Sequence, residues 1–98
     1  MTNKINQILQ ERQKTHGEFK RHAFIAQNFK ECLDDAISNF DEYDDICSFH
    51  REALEMILHK MARILAGNPN YIDHWNDISG YAQCVVNILE GNKKNEKK

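Results

Sequence analysis

The chain has 98 residues, of which 41% are hydrophobic and 29% charged, and its formal net charge is −2. This length predicts one domain, and the slight excess of acid argues against direct binding to duplex nucleic acid, because proteins that bind the phosphate backbone are usually basic. No apolar run approaches the roughly 18 residues that a membrane span needs, so no membrane partner is expected.

The hydrophobic pattern predicts an all-α, bundle-like domain of four helices. A short first helix is predicted over residues 3–14, where apolar residues recur at helical spacing. Gly17 then breaks the pattern, and a long amphipathic helix follows over residues 17–38. The acidic segment 39–47 has no clear period and is predicted to be a loop or a single turn.

The second half of the chain predicts a helical hairpin. Its first helix covers residues 48–66, with Ser48 as the expected N-cap and Gly67 as the expected C-terminal cap. Its second helix begins at about residue 71 and ends near Leu89. Because the connection between them is short, these two helices should be antiparallel neighbours.

One helical domain is therefore expected over residues 1–91, followed by a disordered basic tail over residues 92–98. Apolar residues of the hairpin should be buried together, namely Ile57, Met61, Trp75, Ile78 and Val85. The amphipathic helices present more apolar surface than four elements of one small chain readily hide. A homo-oligomer, most simply a dimer, is therefore expected.

The cysteines and the N-terminal residues indicate the cellular compartment in which the protein is expected. Cys32, Cys47 and Cys84 are an odd number without CxxC spacing, which argues against a disulfide framework and a zinc module. The first residues lack the apolar core and cleavage site of a secretion signal. A cytoplasmic protein with reduced thiols is expected.

Paired carboxylates on the predicted hairpin form a candidate metal site, consisting of Glu52, Glu55, Asp73 and Asp77. Such pairs on facing helices build Mg²⁺ and Mn²⁺ sites in helical bundles. The alternative is structural, because Glu55, His59 and Arg63 follow one another at single-turn spacing and could form a solvent-facing ladder. Asp73 also fits an ordinary first-turn acid. The spacing leaves both interpretations open.

Other polar residues extend the candidate site. Lys60 and Arg63 lie near the glutamates and would contact phosphate if the carboxylates hold metal. His59 is a candidate for acid–base chemistry because imidazole titrates near neutrality, although no nucleophile stands beside it. Thr15 and His16 lie in a loop whose polar groups could face a ligand, and a plain helix-connecting turn explains them almost as well.

The strings THGEF, AQNFK and REALEMILHKMARILAGNPNYIDHWNDISGYA resemble a family of small phage and prophage helical proteins of unknown function. That family is in turn similar, distantly, to the MazG-like all-α nucleotide pyrophosphohydrolases, whose signature is ExxE followed after a spacer by ExxD. Glu52 and Glu55 match the first pair, and Asp77 matches the last carboxylate. His74 stands where the second motif has its glutamate, with Asp73 one residue earlier.

The resemblance implies an oligomeric helical bundle with a nucleotide ligand, and it leads to two hypotheses. The first is Mg²⁺-dependent cleavage of a nucleoside triphosphate to monophosphate and pyrophosphate. In it the four carboxylates hold the metal, Glu55 and His59 act in catalysis, and Lys60 and Arg63 bind phosphate. The second is a non-catalytic phage counter-defence module in the host cytoplasm. It would sequester a nucleotide signal or inhibit a host defence protein.

Overall fold

A computed structural model describes residues 3–39 and 45–96, with side chains described up to residue 92. This part of the chain contains four α-helices and no strand: α1 (Asn3–His16), α2 (Phe19–Ser38), α3 (Ser48–Ala66) and α4 (Ile72–Glu96). The predicted all-α class is confirmed. Within these ranges, no helix combines the length and apolar character needed to cross a membrane. The predicted loop over residues 39–47 lies mostly outside the described residues.

The turn between α1 and α2 forms where the sequence predicts it. α1 continues to His16 rather than ending near Lys14. Gly17 then adopts a left-handed conformation, with φ of 80°, and its backbone N–H donates to the carbonyl of Gln13 at 2.9 Å. A glycine in this conformation is a common way to end a helix, because it carries no Cβ. α2 begins shortly afterwards, at Phe19.

The N-cap of α3 is Cys47, so the prediction of Ser48 was wrong. The carbonyl of Cys47 already accepts a helical hydrogen bond from the N–H of Arg51 at 3.1 Å, and this places Ser48 inside the first turn. The N–H of Cys47 donates in turn to Nδ1 of His50 at 3.0 Å. The other end agrees with the prediction, since the N–H of Gly67 donates to the carbonyl of Arg63 at 2.9 Å.

α4 runs beyond its predicted end near Leu89 and continues through Gly91 to Glu96. Glycine inside a helix is unfavourable by only about 1 kcal/mol relative to alanine, which is too little to stop a helix of this length. The predicted end was therefore wrong. The behaviour of residues 92–98 as a separate disordered tail stays a prediction.

α3 lies at the centre of the fold and packs closely against both α2 and α4, with smaller contacts to α1. The buried apolar side chains are small apart from one isoleucine: Ala26, Ala53, Ala62 and Ile64. Two histidines are also buried, His22 at 6% exposure and His74 at 1%. Because the core of the single chain is thin, histidines make up a large part of what the helices enclose.

The predicted cluster of buried residues does not form in the single chain. Trp75 is 53% exposed and Met61 is 38% exposed, while Ile57, Ile78 and Val85 are half-buried. On α3 the reason is the rotation of the helix, which turns His59 and Arg63 towards α1 and α2 and leaves Met61 at the surface. The prediction that Trp75 is a core residue is therefore wrong for one chain.

Candidate functional site

Two turns meet at one end of the bundle, and both depend on glycine. A Cβ on Gly17 would lie 2.2 Å from the carbonyl oxygen of Ala66, and one on Gly67 would lie 2.4 Å from the carbonyl oxygen of Thr15. Such distances exclude any side chain at either position unless the backbones separate. The turn that follows α1 is therefore pressed directly against the turn that follows α3.

The carbonyl of Thr15 joins these two turns. It accepts the backbone N–H of Asn68 at 3.0 Å and Nε2 of His74 at 2.9 Å. Since a carbonyl can only accept, His74 carries its proton on Nε2. His74 is the most completely buried large side chain among the described residues. His74 thus anchors the turn, and Thr15 contributes its backbone to that contact.

His16 faces the same junction. Its ring lies 4.7 Å from that of His74 and 5.9 Å from that of Tyr71, measured between centroids. Burial, followed by the charge of Arg63, lowers the pKa of His16 to about 4. At neutral pH this imidazole is therefore uncharged and acts as a hydrogen-bonding group.

A second histidine pair connects α2 with α3. The rings of His22 and His59 meet edge to face at 4.5 Å, and Nη2 of Arg63 donates to Nε2 of His59 at 3.1 Å. Because arginine only donates, His59 is the neutral tautomer protonated on Nδ1. Burial, with the charge of Arg63 next, lowers the pKa of His59 to about 4. The lone pair that a general base would use is occupied by Arg63.

A cavity of about 420 Å³ opens between α1, the start of α2 and the last turn of α3. Its lining carries two arginines and two histidines, together with two apolar side chains and two further residues: Arg12, Arg63, His16, His22, Leu9, Phe19, Gln13 and Gly17. No carboxylate belongs to this lining. The cavity therefore combines cationic and hydrogen-bonding groups with an apolar rim and carries no negative charge of its own.

Two polar atoms at this cavity are buried without a hydrogen-bond partner among the described residues: Nδ1 of His22 and Nε of Arg63. Leaving a buried polar group unsatisfied costs about 1–3 kcal/mol. Burial, then the charge of Arg63, lowers the pKa of His22, in keeping with this environment. Since Nε of arginine always donates, Arg63 keeps an unsatisfied hydrogen-bond donor next to the cavity.

The predicted metal ligands lie elsewhere, and two of them have cationic partners. Glu55 accepts from Nε of Arg51 at 3.1 Å, and Asp77 contacts Nζ of Lys60 at 2.9 Å. The hydrogen bond from Lys60 lowers the pKa of Asp77. Lys60, predicted to bind phosphate, thus neutralises Asp77 and does not line the cavity.

Of the other two carboxylates, Asp73 lies close to Tyr71 and raises the pKa of that phenol, and Glu52 is exposed. Within residues 3–39 and 45–96, no group of three or more histidine, cysteine, aspartate or glutamate side chains is placed to hold a metal ion. The expected convergence of the four carboxylates is therefore not seen in this part of the chain. Mg²⁺ binding stays a prediction.

Residues 1–89 match the family DUF6378, described as a domain of unknown function. The chain belongs to this family. No curated protein and no solved structure matches it. The resemblance to a helical family of unknown function is thereby confirmed in its general part. A phage origin and a relation to the MazG-like enzymes stay predictions.

In this DUF6378 domain, some residues that line the cavity were predicted from the sequence and others were not. Of the predicted site residues, His16 and Arg63 line the cavity, while His59 lies beside it and holds Arg63. Arg12 and His22 were missed. A signal for His22 existed, because it stands one turn before Ala26 on the buried side of α2. Arg12 carries no comparable signal, since α1 has no buried residue among its described side chains.

Proposed function

We propose that the cavity binds the phosphate groups of a nucleotide, and that this protein sequesters its ligand without cleaving it. The observation that carries the proposal is the lining, in which Arg12, Arg63, His16 and His22 converge without a carboxylate. Within the same lining, Nε of Arg63 is a buried donor that no described residue satisfies. An anion with several acceptor oxygens matches this lining.

Phosphate suits this arrangement better than a single carboxylate would. A guanidinium presents several N–H donors in one plane, and charge-assisted bonds to phosphate oxygens are about twice as strong as neutral ones. Nη2 of Arg63 is engaged by His59, which fixes the guanidinium beside the cavity. A bound phosphate would also raise the pKa of His16 and His22, so binding should be accompanied by proton uptake.

The remainder of the cavity suits an apolar group attached to the phosphates. A volume of about 420 Å³ lies within the range of small-molecule sites, roughly 300–1,000 Å³. Phe19 is 79% exposed at its rim, and Leu9 also lines it. An exposed aromatic ring can stack on any base, so these contacts favour a nucleotide without selecting one.

Sequestration is favoured over hydrolysis by the partners of the predicted catalytic groups. Glu55 and Asp77 are paired with Arg51 and Lys60, and Nε2 of His59 accepts from Arg63. Mg²⁺-dependent pyrophosphohydrolysis, with Glu52 and Asp73 completing the metal ligands, would require these pairs to open. A nucleotide-sequestering module also agrees with the counter-defence role and the cytoplasmic location expected from the resemblance.

Calorimetric titration tests the proposal, with inorganic pyrophosphate and the four common ribonucleoside triphosphates as probes. We expect at least one probe to bind wild-type protein. Arg63→Gln should weaken that binding by roughly 10- to 100-fold, the loss of one or two charge-assisted hydrogen bonds. Arg51→Gln is the matched control, because it removes the same charge from the first turn of α3, where exposed ion pairs contribute about 1 kcal/mol or less.

Results of two kinds, in binding and in turnover, would decide against the proposal. The first is failure of all five probes to bind at millimolar concentration, or equal binding by wild type and Arg63→Gln. The second is release of pyrophosphate from a triphosphate in Mg²⁺. If Asp77→Asn abolishes that release, the protein is the hydrolase of the first hypothesis, and sequestration is wrong.

A further inference from the structure

α4 exposes a regular seam along most of its length. The seam consists of Ile72, Trp75, Ser79, Ala82, Val86 and Leu89, which follow one another at alternating steps of three and four residues. All six side chains are exposed in the single chain. This spacing is the heptad pattern by which two helices pack their side chains together.

The seam is distinct from the face of α4 that the fold already uses. The side chains of α4 that are buried or half-buried between residues 74 and 85 are His74, Ile78, Tyr81 and Val85. At 100° per residue these lie about a quarter to a third of a turn from the seam. α4 therefore has two faces suited to packing, one of them covered within the chain and the other open.

The single chain exposes more surface than a compact monomer of its mass. The chain exposes 7812 Å², whereas a compact monomer of 11.5 kDa exposes about 5,800 Å². Its radius of gyration is 17.1 Å, against roughly 13 Å for a compact domain of this length. The excess area, about 2,000 Å² per chain, is more than enough for one subunit's share of a permanent dimer interface, and the seam supplies part of it.

We propose that a second copy of this chain covers the seam, with the two α4 helices antiparallel about a twofold axis. The seam is self-complementary in that arrangement, because reversing it places a larger residue opposite a larger one and a small residue opposite a small one. Each contact then occurs twice, as a twofold interface requires. The facing pairs are Ile72 with Leu89, Trp75 with Val86, and Ser79 with Ala82.

Three features of the seam support this occupant over another protein. Ser79 and Ala82 are small and lie at the centre, where they let the two helices approach closely. Trp75 meets Val86 and not a second Trp75, so the bulkiest side chains are kept apart. The six residues of the seam carry no charge, so no like charges of the seam face each other across the axis. This inference does not depend on the proposed nucleotide site.

Light scattering with paired variants tests the interface. Wild-type protein should have twice the chain mass of 11.5 kDa at micromolar concentration. Ala82→Glu buries a charge in the seam and should give the mass of one chain with its helical circular dichroism retained. Cys84→Glu introduces the same charge on the opposite side of α4 and should leave the mass doubled. A wild-type monomer, or an Ala82→Glu protein of unchanged mass, contradicts the proposal.

Cysteine cross-linking tests the direction of pairing and does not depend on a destabilised variant. In a background where the native cysteines are serine, Ser79→Cys mixed with Ala82→Cys should form mixed disulfides, because facing residues lie within bonding distance. Neither variant alone should link to itself efficiently. Efficient self-linking of Ser79→Cys would show a parallel pair and would overturn the antiparallel register.

Discussion

Gly17→Ala is expected to lower the free energy of unfolding by about 3 kcal/mol or more. The left-handed backbone at this position, with φ of 80°, is strained by roughly 1–3 kcal/mol for a residue with a Cβ. The new methyl group would also lie 2.2 Å from the carbonyl oxygen of Ala66. Overpacking of this kind adds about 1–3 kcal/mol, and backbone cannot rotate away as a side chain can.

Urea denaturation followed by circular dichroism measures this loss, and Gly80→Ala is the matched control. A Cβ on Gly80 would meet no atom within 4 Å. Because Gly80 lies inside α4, the control should instead gain about 0.5–1 kcal/mol from helix propensity. Equal denaturation midpoints for Gly17→Ala and wild type would show that the two turns are not in contact in solution.

Acidification from pH 7 to pH 4 should destabilise the protein through its histidine clusters. The pKa of both His16 and His59 is lowered from 6.5 to about 4, and the pKa of His22 is lowered as well. Between these values the unfolded chain binds more protons than the folded one. The stabilisation is therefore complete above about pH 6.5 and is lost as the pH falls towards 4. The lowered pKa of Asp77 acts only below 3.8 and does not contribute in this window.

His59→Gln isolates the contribution of one histidine. A glutamine oxygen can still accept the hydrogen bond from Nη2 of Arg63, but it does not titrate. The melting temperature should therefore fall less from pH 7 to pH 5 for the variant than for wild type. If wild type is as stable at pH 5 as at pH 7, the histidines are more hydrated than their burial indicates.

The number and order of the helices were predictable because each amphipathic segment has a helical period and a glycine marks the turns at positions 17 and 67. The rotation of α3 was not predictable. Leu54, Met61 and Leu65 form an apolar stripe that any reading would place in the core, yet all three are exposed in the single chain. Helical periodicity identifies an apolar face of a helix. When a chain has more apolar faces than its core can bury, periodicity does not show which of them are buried within the chain.

The residues of the candidate site were likewise only partly predictable from the sequence. His16 and Arg63 stand out locally, as polar residues beside a helix end, and both line the cavity. Arg12 and His22 join them only because the turn at Gly17 folds α1 and α2 onto the end of α3. This is a long-range contact, and the spacing of residues along one helix does not predict it. The carboxylates failed to converge for a related reason. Asp77 has Lys60 as its spatial neighbour, and ion pairing across two helices removes the repulsion that a metal would relieve.

Nuclear magnetic resonance of the histidine side chains tests the central claim, phosphate binding in the cavity, most directly. Labelled protein at pH 7 is titrated with inorganic pyrophosphate and then with the nucleoside triphosphates. We predict that the imidazole signals of His16 and His22 move towards the protonated form as ligand binds, while that of His50, at the N-terminus of α3, stays in place. Imidazole signals that do not move at saturating probe, or that move only for His50, would contradict phosphate binding in this cavity.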